Sequence, residues 1–380
     1  ASFGIGGSGI VLQNTDASKT PDLNLIQNNV FTKGWVGVAV NGSATLGYAT
    51  GNRITRNIIK FTEADSLNQI GIFFQNASGT LIDNNTIGRL RNFISIGTPT
   101  GISGSGRHRN TRIWNNVISD IIHINSGDVS AAYGINVTAT AGETTKVAVY
   151  NNMIYGIDDQ TVGNGRGSRG ISFTQGINDT IAYNTVYLSG PDGFLSASLY
   201  NNFTASPASR VWRNNIAINE RVPMAGARTY AFVLDDATSQ ISSNYNDLYV
   251  PSQINSYVAG GFTTATFNYP TLLDWQTTGQ DLNSVSVPVN FRSPDLHIDS
   301  AIVTSINNAG TPIAGITTDF DGQARSVTTP DIGADEFGGV AITHDIGVIS
   351  LQEVVPPGAL LDNMGNAHSA AFESASDVTP

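Results

Sequence analysis

The chain has 380 residues, no cysteine, 13% charged residues and a formal net charge of −11. That excess of acid argues against nucleic-acid binding, which needs basic surface to displace counterions, and against docking on anionic membranes. The lack of cysteine excludes disulfide staples and thiolate metal sites, and no apolar run approaches the roughly 18 residues of a membrane-spanning helix.

Two anchors alternate from the N-terminus onward. The first is Gly9-Ile10, repeated as Gly37-Val38, Gly71-Ile72, Gly101-Ile102, Gly134-Ile135 and Gly170-Ile171. Each opens a run that alternates apolar with small or polar residues, the two-residue period of a strand with one buried face. The second anchor is an asparagine followed within two positions by an apolar residue: Asn29, Asn57, Asn85, Asn116, Asn152, Asn184, Asn215 and Asn246. Their separations are 28, 28, 31, 36, 32, 31 and 31. In five cases the preceding residue is asparagine too, as in Asn115-Asn116 and Asn151-Asn152. Runs such as Thr111-Arg112-Ile113-Trp114 come before the asparagine, and runs such as Val117-Ile118 after it. A fixed period of this size without helical patterning indicates one unit stacked on copies of itself.

Three short strands fill one period. Stacked in parallel about 4.8 Å apart, they predict an all-β fold, a parallel β-helix solenoid of about eight coils over residues 1–250 and roughly 40 Å long. The asparagines are expected to occupy the left-handed turn between strands, which they tolerate better than other non-glycine residues. Their amides are expected to stack as a ladder, each donating to its neighbour. Residues 51–59 (Gly-Asn-Arg-Ile-Thr-Arg-Asn-Ile-Ile) and 111–118 resemble the repeats of bacterial right-handed parallel β-helix proteins of the pectate-lyase-like superfamily. The similarity covers roughly residues 9–250. It implies a right-handed coil and a secreted or cell-surface location, and it brings carbohydrate-active relatives into view.

Beyond Asn246 the period fades. Residues 251–337 carry Pro251, Pro270 and Pro288 and scattered aromatics, and read as an irregular excursion followed by a closing segment. Within it, Asp319-Phe320-Asp321-Gly322 lacks the further oxygen ligands and closing glutamate of an EF-hand loop. Arg325 is expected to pair with a nearby carboxylate while the segment covers the last coil, whose strand edges would otherwise stay open. Residues 338–380 read as a linker and the start of a further β module. Asp345-Ile346-Gly347-Val348-Ile349-Ser350-Leu351 is similar to the opening strand of immunoglobulin-like adhesion domains, and the chain is expected to be a fragment of a longer secreted or surface protein.

The chemistry is sought where the period stretches. Asn29 to Gly37 is 8 positions, whereas Asn116 to Gly134 and Asn152 to Gly170 are 18 each. Residues 119–133 and 155–169 are therefore expected side by side, carrying His123, Asp128, Asp158, Asp159, Arg166 and Arg169, with Arg89 and Arg91 on the preceding arc. In a lyase the arginines would neutralise a uronate carboxylate, Asp158 and Asp159 would hold Ca²⁺, and His123 or an arginine would abstract the C5 proton. In a hydrolase, carboxylates such as Asp128 and Asp158 would flank the glycosidic bond. The alternative is that these are solvated loop charges. Trp114, Tyr150 and Trp212 read either as sugar-stacking residues or as one structural column before the asparagine turn, and Arg107-His108-Arg109 as a loop charge cluster. The leading expectation is a non-catalytic extracellular rod, an adhesin or filament stalk that contacts a polysaccharide or surface glycan along a lateral groove and self-associates end to end. A polysaccharide lyase or hydrolase, and a phage-type tailspike, are the alternatives.

Overall fold

β-Branched and aromatic residues alternate with small ones in each period, and every such run becomes a strand that pairs with its copy in the next coil. In the computed structural model, which describes residues 7–14, 16, 18–61, 70–92, 97–124, 131–160, 167–190, 195–202, 210–223, 226–235, 241–251, 253–261, 267–292 and 295–338, these strands build three sheets. A long sheet runs from Ser8–Gln13 through Thr100–Arg109 and Gly167–Thr174 to Ser256–Gly260. An approach sheet collects the runs before the asparagines, from Leu25–Gln27 to Ile241–Asn244. A departure sheet collects those after them, from Val30–Phe31 to Asp247–Tyr249. Among the described residues the strands of successive coils pair in parallel, and Asn268–Tyr269 adds an antiparallel edge. The approach and departure sheets have eight strands each, which make seven coil-to-coil steps, and the fold is the expected all-β parallel β-helix, of about seven coils. Among the described residues, no helix is long and apolar enough to cross a membrane.

Register places like on like, and this fills the core. In the long sheet Val38, Ile72, Ile102, Ile135, Ile171, Leu199 and Phe232 stack inward in successive coils, each fully buried. The other two sheets contribute Ile54, Ile82, Ile113, Val149 and Ile181, and Ile59, Ile87, Ile118, Ile154 and Val186. Trp212 aligns with Ile181 rather than with Tyr150, so it belongs to this core and not to a column with Trp114 and Tyr150. It packs against Phe173 and Phe232 at ring separations of 6.0 and 5.2 Å. The recurring glycine anchor also has a steric cause. A Cβ on Gly101 would sit 2.5 Å from Ile118 Cγ2 and 2.6 Å from the Gly134 carbonyl, inside contact distance.

The ladder forms as expected, but its turn is made elsewhere. The left-handed residue is the one before each ladder asparagine: Asn28, Arg56, Asn84, Asn115, Asn151, Tyr183, Asn214 and Tyr245, with φ between 53° and 57°. The ladder residue itself points its amide inward. From Asn57 onward each Oδ1 accepts from both the backbone N–H and the Nδ2 of the asparagine one coil earlier, as Asn152 does from Asn116 at 3.1 and 3.0 Å. The spare Nδ2 capacity goes to backbone carbonyls, for Asn116 those of Ile82 and Trp114. Thus the second asparagine of each doublet satisfies buried backbone groups, and the first is a preference that arginine and tyrosine also meet.

The end of the rod is closed by residues 268–287. The short helix Leu272–Gln276 starts at a capping box between Thr271 and Asp274. It presses Trp275 against Phe232 and Tyr269, at 6.4 and 5.3 Å. Asp281 and Ser284 then stand in for a ninth ladder residue. Asn246 donates its Nδ2 to Asp281 Oδ1 at 2.9 Å and its backbone N–H to Ser284 Oγ at 2.8 Å. Trp275 Nε1 secures the other Asp281 oxygen at 2.7 Å.

Residues 295–337 do not cover the last coil as expected; they turn back along the flank as a strap over the departure sheet. Ile298, Ile306 and Ile332 pack on Ile216 and Ile218, and Leu296 and Ala334 on Met153. The left-handed corner residues receive the strap. Asn115, Asn151 and Asn214 donate to the Phe320, Thr318 and Thr311 carbonyls at 3.2, 2.8 and 2.7 Å, and the Tyr183 hydroxyl also donates to Thr311 O at 2.8 Å. Arg325 pairs with Glu336 at 3.2 Å, as expected, and also binds Asn151 Oδ1 and the Gly333 and Ala334 carbonyls. Residues 339–380, including the strand expected at 345–351, lie outside the described residues.

One outward position of the departure sheet carries a carboxyl group under cover. Asp247 is fully buried and has one hydrogen bond, from the Val287 N–H to Oδ1 at 3.0 Å, while Oδ2 has no partner. Burial pushes its carboxyl well above its ordinary value of 3.8. A carboxyl whose folded pKa is raised contributes stability that is complete below the unfolded value and is lost as pH rises through the folded value. Asp247→Asn, which removes the charge and keeps an acceptor for Val287, is therefore expected to gain on wild type as pH rises above about 3.9. It should exceed wild type at neutral pH by about 1–3 kcal/mol, the range for a buried group left unpaired. Chemical denaturation at several pH values checks this, and a pH-independent difference would contradict it.

Candidate functional site

The long arcs do lie side by side, with Val117–His123 paired along Met153–Asp159, His123 opposite Asp159 and Ile122 opposite Asp158. Strand alternation then separates the expected site residues. His123 and Asp159 point inward, 0% and 1% exposed, with Nδ1 and Oδ1 3.1 Å apart. Asp159 also accepts the Gly167 N–H at 2.8 Å. Asp158 points outward, held by the buried Arg221 guanidinium and by Gln160 Nε2. The Asp158-Asp159 carboxylates thus lie on opposite faces of one sheet and do not share a cation. Arg169 sits on the outer face of the long sheet, only 5% exposed, between the rings of Tyr133 and Tyr200 at 5.4 and 3.6 Å. Arg91 is paired with Asp120 at 2.7 Å, and Arg89 occupies a left-handed position with φ 54°. Asp128 and Arg166 lie outside the described residues. The structure therefore brings His123 to Asp159 but seals the pair from solvent, and it places Arg169 on another sheet.

An open surface with suitable chemistry lies on the approach sheet instead. A second column of left-handed residues, Leu23, Gly51, Gly79, Asn110, Lys146 and Asn178, makes the corner where the long sheet ends and the approach sheet begins. At this corner a shallow groove is lined by Asn110, Arg112, Lys146, Ala148, Asn178 and Thr180. It continues past Arg109 and Glu143. Because alternate residues of a strand share a face, the residues two places beyond Arg112 and Ala148 also point outward. They are Trp114 and Tyr150, directly opposite each other in register and stacked at 5.9 Å with planes 10° apart. Both are half-buried. Burial pushes the Tyr150 hydroxyl above its ordinary value, with Arg112 acting in the opposite direction and Asp83 reinforcing the rise. Trp114 and Tyr150 immediately precede Asn115 and Asn151, on which the strap rests, so the strap bounds the far side of the surface.

The carboxylates bordering this surface are engaged. Asp83, fully buried, is held by Arg53 at 2.9 Å and by the Thr55 hydroxyl at 2.7 Å. Glu143 faces Arg107 and Arg109, and Arg109 also lies over the Tyr48 ring at 5.4 Å. The basic knot Arg107-His108-Arg109 is thereby split, its arginines paired outside and His108 buried at 5.4 Å from the Phe74 ring. Arg112 and Lys146 remain exposed in the groove. What the surface offers is two cations, amides, a hydroxyl and an aromatic pair in a row. The signal that would have found it in the sequence is the two-residue alternation carried through Arg112 and Trp114, combined with the scarcity of lysine.

No protein-family model matches this sequence, and no curated protein matches it.

Proposed function

We propose that the chain is a rod-like extracellular module that binds an anionic polysaccharide along its approach sheet, in the manner of an adhesin or surface stalk. The observation that carries this reading is the stacked Trp114–Tyr150 pair beside the exposed Arg112 and Lys146, in a chain of net charge −11. Aromatic faces suit the apolar C–H faces of sugar rings, and the cations suit uronate or sulfate groups. A charge of the same sign as the ligand elsewhere on the rod restricts attraction to this stripe. Binding is favoured over cleavage because hydrolysis needs two free carboxyl groups across the bond, and Asp83 and Glu143 are neutralised by arginines.

Titration calorimetry with a panel of uronate-rich, sulfated and neutral polysaccharides tests the proposal. Acidic polymers are expected to bind and neutral ones not, and affinity should fall as salt screens the exposed cations. Trp114→Ala and Arg112→Ala should each weaken binding roughly tenfold, equivalent to about 1.4 kcal/mol. Equal affinity for neutral polymers, or unchanged affinity in both variants, would sink the reading. Shortening of the polymer, seen as new reducing ends or unsaturated uronides, would replace it with the enzyme.

A further inference from the structure

The strap brings together three residues that are distant in sequence and complementary in coordination chemistry. One ligand atom each from His297, Asp321 and Asp335 lies within 4.8 Å of the other two. His297 Nε2 is 2.9 Å from Asp321 Oδ2. Its other nitrogen, Nδ1, is 2.8 Å from Asp295 Oδ1, and the Phe320 ring meets the imidazole edge-on at 5.7 Å. The ring is thus held from two sides, with Nε2 facing Asp321 and a carboxylate oxygen of Asp335 within 4.8 Å of a ring nitrogen. A carboxylate on the far imidazole nitrogen is the arrangement that fixes the tautomer of a metal-binding histidine and raises its basicity.

Asp335 is the second pointer. It is 5% exposed, and its Oδ2 accepts the Ile298 N–H at 3.0 Å, while its Oδ1 accepts no hydrogen bond from the described residues. The neighbouring Asp319 differs, because both its oxygens are filled, by Gln323 N–H at 2.7 Å and Glu336 N–H at 2.9 Å. Asp295, Asp321 and Asp335 around one imidazole leave an excess of negative charge even when His297 is protonated.

We propose that His297, Asp321 and Asp335 bind a divalent transition-metal ion of the zinc or manganese class, with Asp295 orienting His297, and that the ion pins the strap to itself. Imidazole among carboxylates selects such ions over calcium or magnesium, which favour an all-oxygen shell. Water completes the coordination, since the Asp321 side chain is 43% exposed. The ion joins the chain at 297, 321 and 335, so it closes two loops of the strap at once.

The test uses the full chain, stripped with a chelator and titrated with Co²⁺ and Zn²⁺ near neutral pH. About one equivalent of Co²⁺ is expected to give a visible ligand-field spectrum, which Zn²⁺ abolishes. The metal should also protect the strap from limited proteolysis. His297→Ala and Asp321→Asn should eliminate the spectrum. Asp295→Asn should weaken binding roughly 10–100-fold without abolishing it, as loss of an outer partner does. Asp321 is exposed, so its variant keeps the fold, and circular dichroism confirms this. No uptake by the wild-type chain, or uptake unchanged in His297→Ala and Asp321→Asn, overturns the proposal. Equal protection by Ca²⁺ and Zn²⁺ overturns the assignment to a transition metal.

Discussion

Asn152→Ala is expected to destabilise the rod by about 3–5 kcal/mol, far more than a typical polar substitution. The side chain sits mid-ladder and is fully buried. Its Oδ1 is the acceptor for the Asn116 backbone N–H, and truncation leaves that buried donor with no replacement. An orphaned buried donor alone costs about 1–3 kcal/mol. The Nδ2 bonds to the Ile113 and Tyr150 carbonyls and to Asn184 Oδ1 are lost as well, at 3.0, 3.1 and 2.9 Å. Asn29→Ala removes the first rung, which is partly exposed and has no asparagine before it, and should cost below about 1 kcal/mol. In a solenoid each coil depends on its neighbours, so Asn152→Ala should also raise amide exchange in the coils on both sides. Denaturant titration of the two variants is the comparison. Equal losses would mean that the ladder contributes no more inside the rod than at its edge.

Trp275→Ala is expected to be of similar size, about 3–5 kcal/mol, by creating a large cavity at the end of the core. Trp275 holds the terminal plug in two ways, by ring contact with Phe232 and Tyr269 and by its Nε1 hydrogen bond to Asp281. Losing that bond releases Asp281, which terminates the ladder at Asn246. The last coil then presents unpaired strand edges, a template for intermolecular pairing. The variant should associate at concentrations where wild type does not, as light scattering would show. Trp275→Phe restores most of the ring contact but not the donor, and should fall between the two. A fully monomeric Trp275→Ala of wild-type stability would rule out the plug.

Much of the fold was legible because its causes are local and repeated. The asparagine period announces stacked coils, since a buried amide ladder works only if every coil supplies the same residue at the same place. The glycine anchor announces strands of the long sheet, and the structure adds that it lies too close to the next coil for a Cβ. Sequence position does not fix a side chain's role at two places. The left-handed turn falls not on the ladder asparagine but one place earlier, where Arg56, Tyr183 and Tyr245 make it as well as asparagine does. Trp212 precedes its asparagine much as Trp114 and Tyr150 precede theirs, but one step in register turns it into the core. A two-residue period makes such a slip reverse the face of a side chain completely.

The candidate site was less legible. His123 and Asp159 looked like loop chemistry because the arcs carrying them are long. In the structure the strands extend to Asp159 and carry the pair inside. The groove at Arg112, Trp114, Lys146 and Tyr150 depends on which strands meet across two coils, and no linear motif records that.

By itself, then, the sequence determined the stacked coil, its parallel sheets and its buried ladder, because hydrophobic alternation and amide hydrogen bonding act between neighbours at one fixed period. The tertiary structure alone decided how the rod ends and what lies along its side. The plug at Trp275, the strap seated on Asn115, Asn151 and Asn214, and the His297–Asp321–Asp335 cluster each join residues with no common period. Their contacts are made across the end of the core or the outside of the coil, where only the folded path of the chain sets the distances.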